Sequence, residues 1–174
     1  VSVTVLTDEH ATKQALFENN QADVLHLATH GFWIDQPASG SSYRSVYETL
    51  SGSGLVLANA QERDGADKFK LIPSGIVTAA EIQDMNLFRT RLVVLSACET
   101  GLGEVVPGEG LYGLKRSLQR AGAEHIVTSL WKVDDEATMR FMTAFYESLV
   151  LTGQVSESFQ HAMVSLKQIY PEPY

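Results

Sequence analysis

The sequence predicts an α/β layer fold, with a central parallel sheet covered by helices on both faces. Three observations predict it. Strands alternate with helices along the chain, RLVVLSA at 91–97 is a nearly continuous apolar and β-branched run, and the helix that follows has one apolar face. A strand buried on both faces reads as such a run, and the alternation is what right-handed crossover connections require.

Taken in order, VSVTVL at 1–6 alternates apolar and polar residues and predicts a strand, after which Thr7 or Asp8 is placed to cap a helix through ATKQALFEN. DVLHLAT, 23–29, predicts the next strand, ending at His30-Gly31. From Gln36 to Gly54 the chain is rich in Ser, Gly and Tyr without helical or strand period, which predicts a long loop. SGLVLANA, around 55–60, predicts a short strand, and QERDGADKFK a charged turn or hairpin. Thr78 and Glu81 have capping-box spacing, so a short helix starts there. After the 91–97 strand, EGLYGLKRSLQRAG carries apolar residues at 111, 114 and 118 on one helical face and ends at Gly122, the place of a C-terminal cap. HIVTSLW, 125–131, predicts another strand. Two helices, about 135–151 and 156–169, separated by Gly153 and stopped by Pro171, complete the reading.

The 174 residues, 44% of them hydrophobic, are enough for one substantial core, so a single domain over 1–174 is expected. The longest apolar stretches fall well short of the roughly 20 residues of a membrane-spanning helix, and no secretory leader pattern opens the chain. A soluble, cytoplasmic protein with no membrane partner is expected. A formal net charge of −8 disfavours direct nucleic-acid binding. One cysteine excludes an internal disulfide and multi-cysteine zinc sites, and no phosphate loop or metal-ligand cluster is visible, so no cofactor and no metal are expected. The chain begins in a predicted strand without a start methionine, which points to an excised part of a longer protein.

His30 and Cys98 each follow a predicted buried strand closely, and each is followed within three residues by glycine. In a parallel sheet, chemistry gathers at the carboxyl ends of the strands; if these two strands are neighbours, thiol and imidazole emerge at one rim. A thiol at its free pKa of about 8.5 is only a few per cent thiolate at neutral pH, and an adjacent imidazole raises that fraction or takes the proton during attack. The amides of Gly31 and Cys98 are candidate oxyanion donors. The plainer readings stand beside these: a free cysteine is often a core residue, a strand-end histidine a structural one, and Gly31 and Gly101 turn punctuation.

HLATHG (26–31), LVVLSACETGLG (92–103), GEGLYGLKRSLQRAGAEHIVTSLWKVDDEAT (108–138) and the closing amphipathic helices together resemble the CHAT domain. This is a caspase-like, separase-related peptidase domain often found in bacterial proteins beside tetratricopeptide repeats. The resemblance covers nearly the whole chain. It implies a caspase-like three-layer α/β/α sandwich around a mostly parallel sheet, and a catalytic dyad of His30 and Cys98. It also implies oxyanion donation by the amides of Gly31 and Cys98, a protein or peptide substrate, and tetratricopeptide repeats as fused or associated partners. The family usually has further strands before the one at 1–6. The chain departs from the caspase signature, in which glutamine precedes Ala-Cys and glycine comes one residue sooner, so aspartate specificity is not implied.

LWKVDD, 130–135, is similar to the separase segment in which an acidic residue four after the tryptophan receives a basic side chain. Asp135, with Asp134, is thus a candidate for selecting Arg or Lys before the scissile bond. Capping of the following helix is the competing role for Asp134. Trp131 belongs to the same candidate substrate-binding segment, and Glu99 makes the loop after the nucleophile acidic, together with Glu104 and Glu109. Phe32 and Trp33 are cleft-wall or core residues, His26 a packed or hydrogen-bonded part of its strand, and His10, His125 and His161 are given no chemistry. Three readings remain at this point: a cysteine endopeptidase, the same enzyme gated by a partner or fused domain, and a catalytically silent scaffold or signalling module.

Overall fold

In a computed structural model of the chain, residues 2–33, 52–60, 75–96, 109–129 and 134–171 are described. Their strands are β1 (Val24–Leu27), β2 (His30–Trp33), β3 (Ser53–Val56), β4 (Ile76–Thr78), β5 (Leu92–Leu95) and β6 (His125–Thr128). The helices are α1 (Lys13–Glu18), α2 (Ala79–Ile82), α3 (Glu109–Ala121), α4 (Asp135–Thr152) and α5 (Val155–Ile169). Two compact units result, Val1–Trp131 and Lys132–Tyr174.

The first unit carries the expected parallel sheet, in the order β1-β5-β6, with Leu27 beside Leu95 and Leu95 beside Thr128. Its middle strand, β5, is the apolar run of the sequence. All four residues are buried, as a strand covered on both faces must be. A second, antiparallel sheet, β2-β3-β4, pairs His30 with Val56 and Gly54 with Thr78. The periodicity gave no sign of β2 or β4, because three- and four-residue strands are too short to show an alternation. The stretch read as loop up to Gly54 accordingly ends earlier, with β3 starting at Ser53.

Helix α3 buries Leu114, Ser117, Leu118 and Ala121, a stripe at helical spacing, and packs against β3, β6 and α2. Leu55, Val77, Ile82, Leu87, Val93 and Leu95 join it in one hydrophobic core. Gly122, at φ +107°, ends the helix as expected: its N–H donates to Gln119 and that of Ala123 to Leu118, the Schellman pattern. In contrast, residues 2–6 are exposed and form no strand, with Val3 78% and Val5 76% accessible. Alternation marks a tendency, but a strand exists only where a neighbour takes its main-chain bonds. Helix α1 is capped by Thr12, whose hydroxyl accepts from the Ala15 amide at 3.1 Å, rather than by Thr7 or Asp8.

The predicted capping box is present: the Thr78 hydroxyl accepts from the Glu81 amide, and the Glu81 carboxylate accepts from the Thr78 amide at 2.9 Å. Lys13 ties α1 to this corner, with Nζ 2.5 Å from Glu81 Oε1 and 3.0 Å from the Ile76 carbonyl. Burial pushes the Glu81 carboxyl upward, but the bonds from Lys13 and Thr78 outweigh it and hold the group below its ordinary 4.5. A depressed carboxyl stabilises the fold above its ordinary pKa and loses that contribution as pH falls through the folded-state value. Lys13→Met is therefore expected to cost about 1 kcal/mol at pH 7. The gap between variant and wild type in urea unfolding should close as the pH is lowered below 4.5.

The second unit is a helical hairpin. Asp134 Oδ1 accepts from the Ala137 amide at 2.9 Å and starts α4, which ends at Gly153 in the left-handed conformation. Phe141 stacks beside Phe145 with ring centroids 6.0 Å apart and meets Phe159 of α5 edge-on at 5.3 Å, an aromatic seam between the helices.

Candidate active site

The carboxyl end of β1 and that of β5 lie side by side, because the two strands are parallel neighbours in register. Past the last pair, Leu27 and Leu95, the Ser96 amide still donates to the Leu27 carbonyl at 3.0 Å. Three residues beyond Leu27 is His30, and three beyond Leu95 is Cys98. Strand adjacency, the condition the sequence left open, is thus met. His30 and Gly31 are described; Cys98, Glu99, Gly101, Glu104 and Trp131 lie outside the described residues, as do the side chains of Glu109 and Trp33.

His30 is exposed and opens β2, so the chain passes from the parallel sheet to the antiparallel one within two residues, Ala28 and Thr29. That junction is pinned. Thr29 Oγ1 donates to the Val56 carbonyl, and His30 itself pairs with Val56. Gly31, half-buried, pairs with Leu55. The Phe32 ring lies over Gly54, close enough that a Cβ there would stand 2.8 Å from it, so Phe32 serves as a sheet residue.

Of the two roles expected for His26 the hydrogen-bonded one is present: the residue is exposed, and its Nε2 lies 2.9 Å from Ser96 Oγ. Partial burial of the ring lowers its pKa below 6.5, which favours the neutral imidazole near neutral pH. Ser96 and Thr29 were not singled out by sequence reasoning; the signal available was their position, within two residues of Cys98 and His30. Asp134 performs the capping role, and Asp135 is the exposed first residue of α4; both belong to the second unit. His10 and His125 stand 3.8 and 3.6 Å from the carboxylates of Glu9 and Glu124, and His161 is exposed on α5. Among the described residues no three His, Cys, Asp or Glu side chains gather as a metal site, and no helix is long and apolar enough to cross a membrane.

A parallel sheet flanked by helices, with His30 and Gly31 three and four residues past the end of one strand and that strand paired with a second whose sequence leads to cysteine, is consistent with a mixed α/β domain of the caspase-like kind. The chain belongs to the CHAT domain family, whose model matches residues 2–172. It is similar to tetratricopeptide repeat protein 28 of Mus musculus, 32% identical over 171 residues, and to that of Homo sapiens, 30% identical over 165. These matches cover 91% and 88% of this chain but 7% of each relative, so the chain spans a small part of their length. No solved structure matches significantly.

Proposed function

We propose that the chain is a cysteine endopeptidase with Cys98 as nucleophile and His30 as general base. The observation that supports this best is the adjacent, parallel, in-register pairing of β1 and β5, which directs the two chain segments leading to His30 and Cys98 out of one sheet edge.

In the proposed reaction the Cys98 thiolate attacks the carbonyl carbon of the scissile bond, and the amides of Gly31 and Cys98 receive the oxyanion. The C–N bond breaks as protonated His30 gives its proton to the departing amine. Water then attacks the thioester with His30 as base, releasing the acid and regenerating the thiol. The substrate is a protein or peptide, and tetratricopeptide repeats are its proposed fused or associated partners, in keeping with the names of the two relatives.

Labelling by a peptidyl acyloxymethyl ketone tests the reading. Wild type is expected to be labelled at Cys98, the only cysteine of the chain, and Cys98→Ala and His30→Ala are not. Equal labelling rates in wild type and His30→Ala overturn the role of the imidazole. A silent wild type instead favours a scaffold or signalling module, or an enzyme awaiting a partner, and adding the upstream region separates those two.

Asp135 is proposed to select Arg or Lys at the residue before the scissile bond, supported by its exposed carboxylate and by the LWKVDD segment. Asp135→Asn is expected to reduce kcat/KM for a basic residue at that position about tenfold relative to an apolar one. A positional-scanning library whose preference is unchanged in the variant overturns the assignment.

A further inference from the structure

We propose that His26 and Ser96 are positioning residues, a catch across the neighbouring strands β1 and β5 that sets how the chain leaves β5 on its way to Cys98. As a statement about catalysis this rests on the peptidase reading above; as a statement about the chain's path it does not.

His26 is paired in register with Val94, yet its ring reaches past that partner to the Ser96 hydroxyl, 2.9 Å away. Val94 and Ser96 are two apart and so project to the same side of β5. The contact sits where the fully buried face of the sheet gives way to its open edge: Val94 is 0% accessible, and Ser96 is partly exposed. Ser96 is therefore held twice to β1, by its amide on the Leu27 carbonyl at 3.0 Å and by its hydroxyl on His26.

On the other side of the same edge, Thr29 clamps the start of β2 to Val56. One short polar residue thus secures each segment of the dyad, Thr29 one residue before His30 and Ser96 two before Cys98. A strand end secured only by its last main-chain bond frays; a side-chain bond just beyond that point fixes the direction of exit. Near-attack geometry tolerates displacements of well under 1 Å, which is why such a restraint matters for a nucleophile. The lowered pKa of the ring keeps Nε2 able either to donate to the hydroxyl or to accept from it near neutrality.

Two measurements on the 174-residue chain test this, amide hydrogen exchange over residues 93–98 and acyloxymethyl ketone labelling of Cys98. His26→Ala and Ser96→Ala are each expected to speed exchange tenfold or more and to slow labelling threefold or more. The double variant should be no slower than the slower single. His26→Gln, whose amide nitrogen stands near the place of Nε2, and Ser96→Thr, which keeps the hydroxyl, should label within twofold of wild type. Unchanged exchange in both alanine variants overturns the catch whether or not the chain cleaves peptides. Faster exchange with unchanged labelling, effects that multiply in the double variant, or conservative variants as slow as alanine overturn the positioning role. A wild type that never labels even with the upstream region added, with exchange responding as stated, supports the catch and overturns the peptidase reading alone. If His26→Ala does not fold, Ser96→Ala against Ser96→Thr decides the matter.

Discussion

Cys98→Ala is expected to lower peptide hydrolysis by on the order of 10⁴- to 10⁶-fold, the loss that follows removal of a covalent nucleophile. His30→Ala is expected to lose about 10²- to 10⁴-fold at neutral pH, the usual contribution of a positioned general base. The two variants should differ in their pH response. Without the imidazole, attack depends on thiolate formed by the thiol alone, so residual activity of His30→Ala should climb toward a thiol pKa of about 8.5, whereas Cys98→Ala stays flat. Initial rates on a fluorogenic peptide from pH 6 to 9, with circular dichroism as the folding control, separate these cases. Parallel pH profiles for wild type and His30→Ala would remove the imidazole from the mechanism.

Gly54→Ala is expected to destabilise the first unit by about 3 kcal/mol or more, or to prevent folding. A Cβ on Gly54 would stand 2.2 Å from the Val77 carbonyl and 2.8 Å from two ring carbons of Phe32. The ring can turn aside; the carbonyl cannot, because Val77 is fully buried in β4 beside Leu55. Separation of β3 from β4 is the relief, and β3 is also the strand on which β2, beginning with His30, is paired. Loss of stability and loss of activity should therefore go together in this variant. Gly153→Ala is the contrast: nothing lies within 4 Å of a Cβ there, so only the left-handed backbone opposes the change, at a cost of about 1 kcal/mol. Urea unfolding midpoints of the two variants measure the difference.

The sequence made the large elements legible and the small ones not. LVVL announced a central strand because burial on both faces needs apolar residues at every position, and β5 is that strand. Thr78 with Glu81, Gly122 and Gly153 announced helix ends because each satisfies a fixed local requirement for hydrogen bonds or a left-handed backbone. VSVTVL misled, since alternation carries no information about whether a partner strand is near. The antiparallel sheet was hidden because its strands are short and its first two are 20 residues apart in sequence. Of the candidate site, the His-Gly and Ser-Ala-Cys segments after two strands were legible, while the adjacency of those strands was left open and comes from the pairing of β1 with β5. The His26–Ser96 contact was not legible, because a diagonal reach between strands depends on register, which no single segment encodes. Asp134 stood between two roles in the sequence, and the bond to the Ala137 amide shows it in the local one.

The pairing of β1 with β5 joins residues 68 apart along the chain, while α4 and α5 meet across a two-residue turn. Ring closure over such a span has a large entropic cost, whereas helices and their near neighbours associate within microseconds. During biosynthesis the edge bearing His30 has no counterpart until β5 has emerged and docked. A nascent or truncated chain ending before residue 92 would thus carry β1 without its β5 neighbour, the His30 strand being paired only with β3, and competence would arrive only with late, long-range assembly.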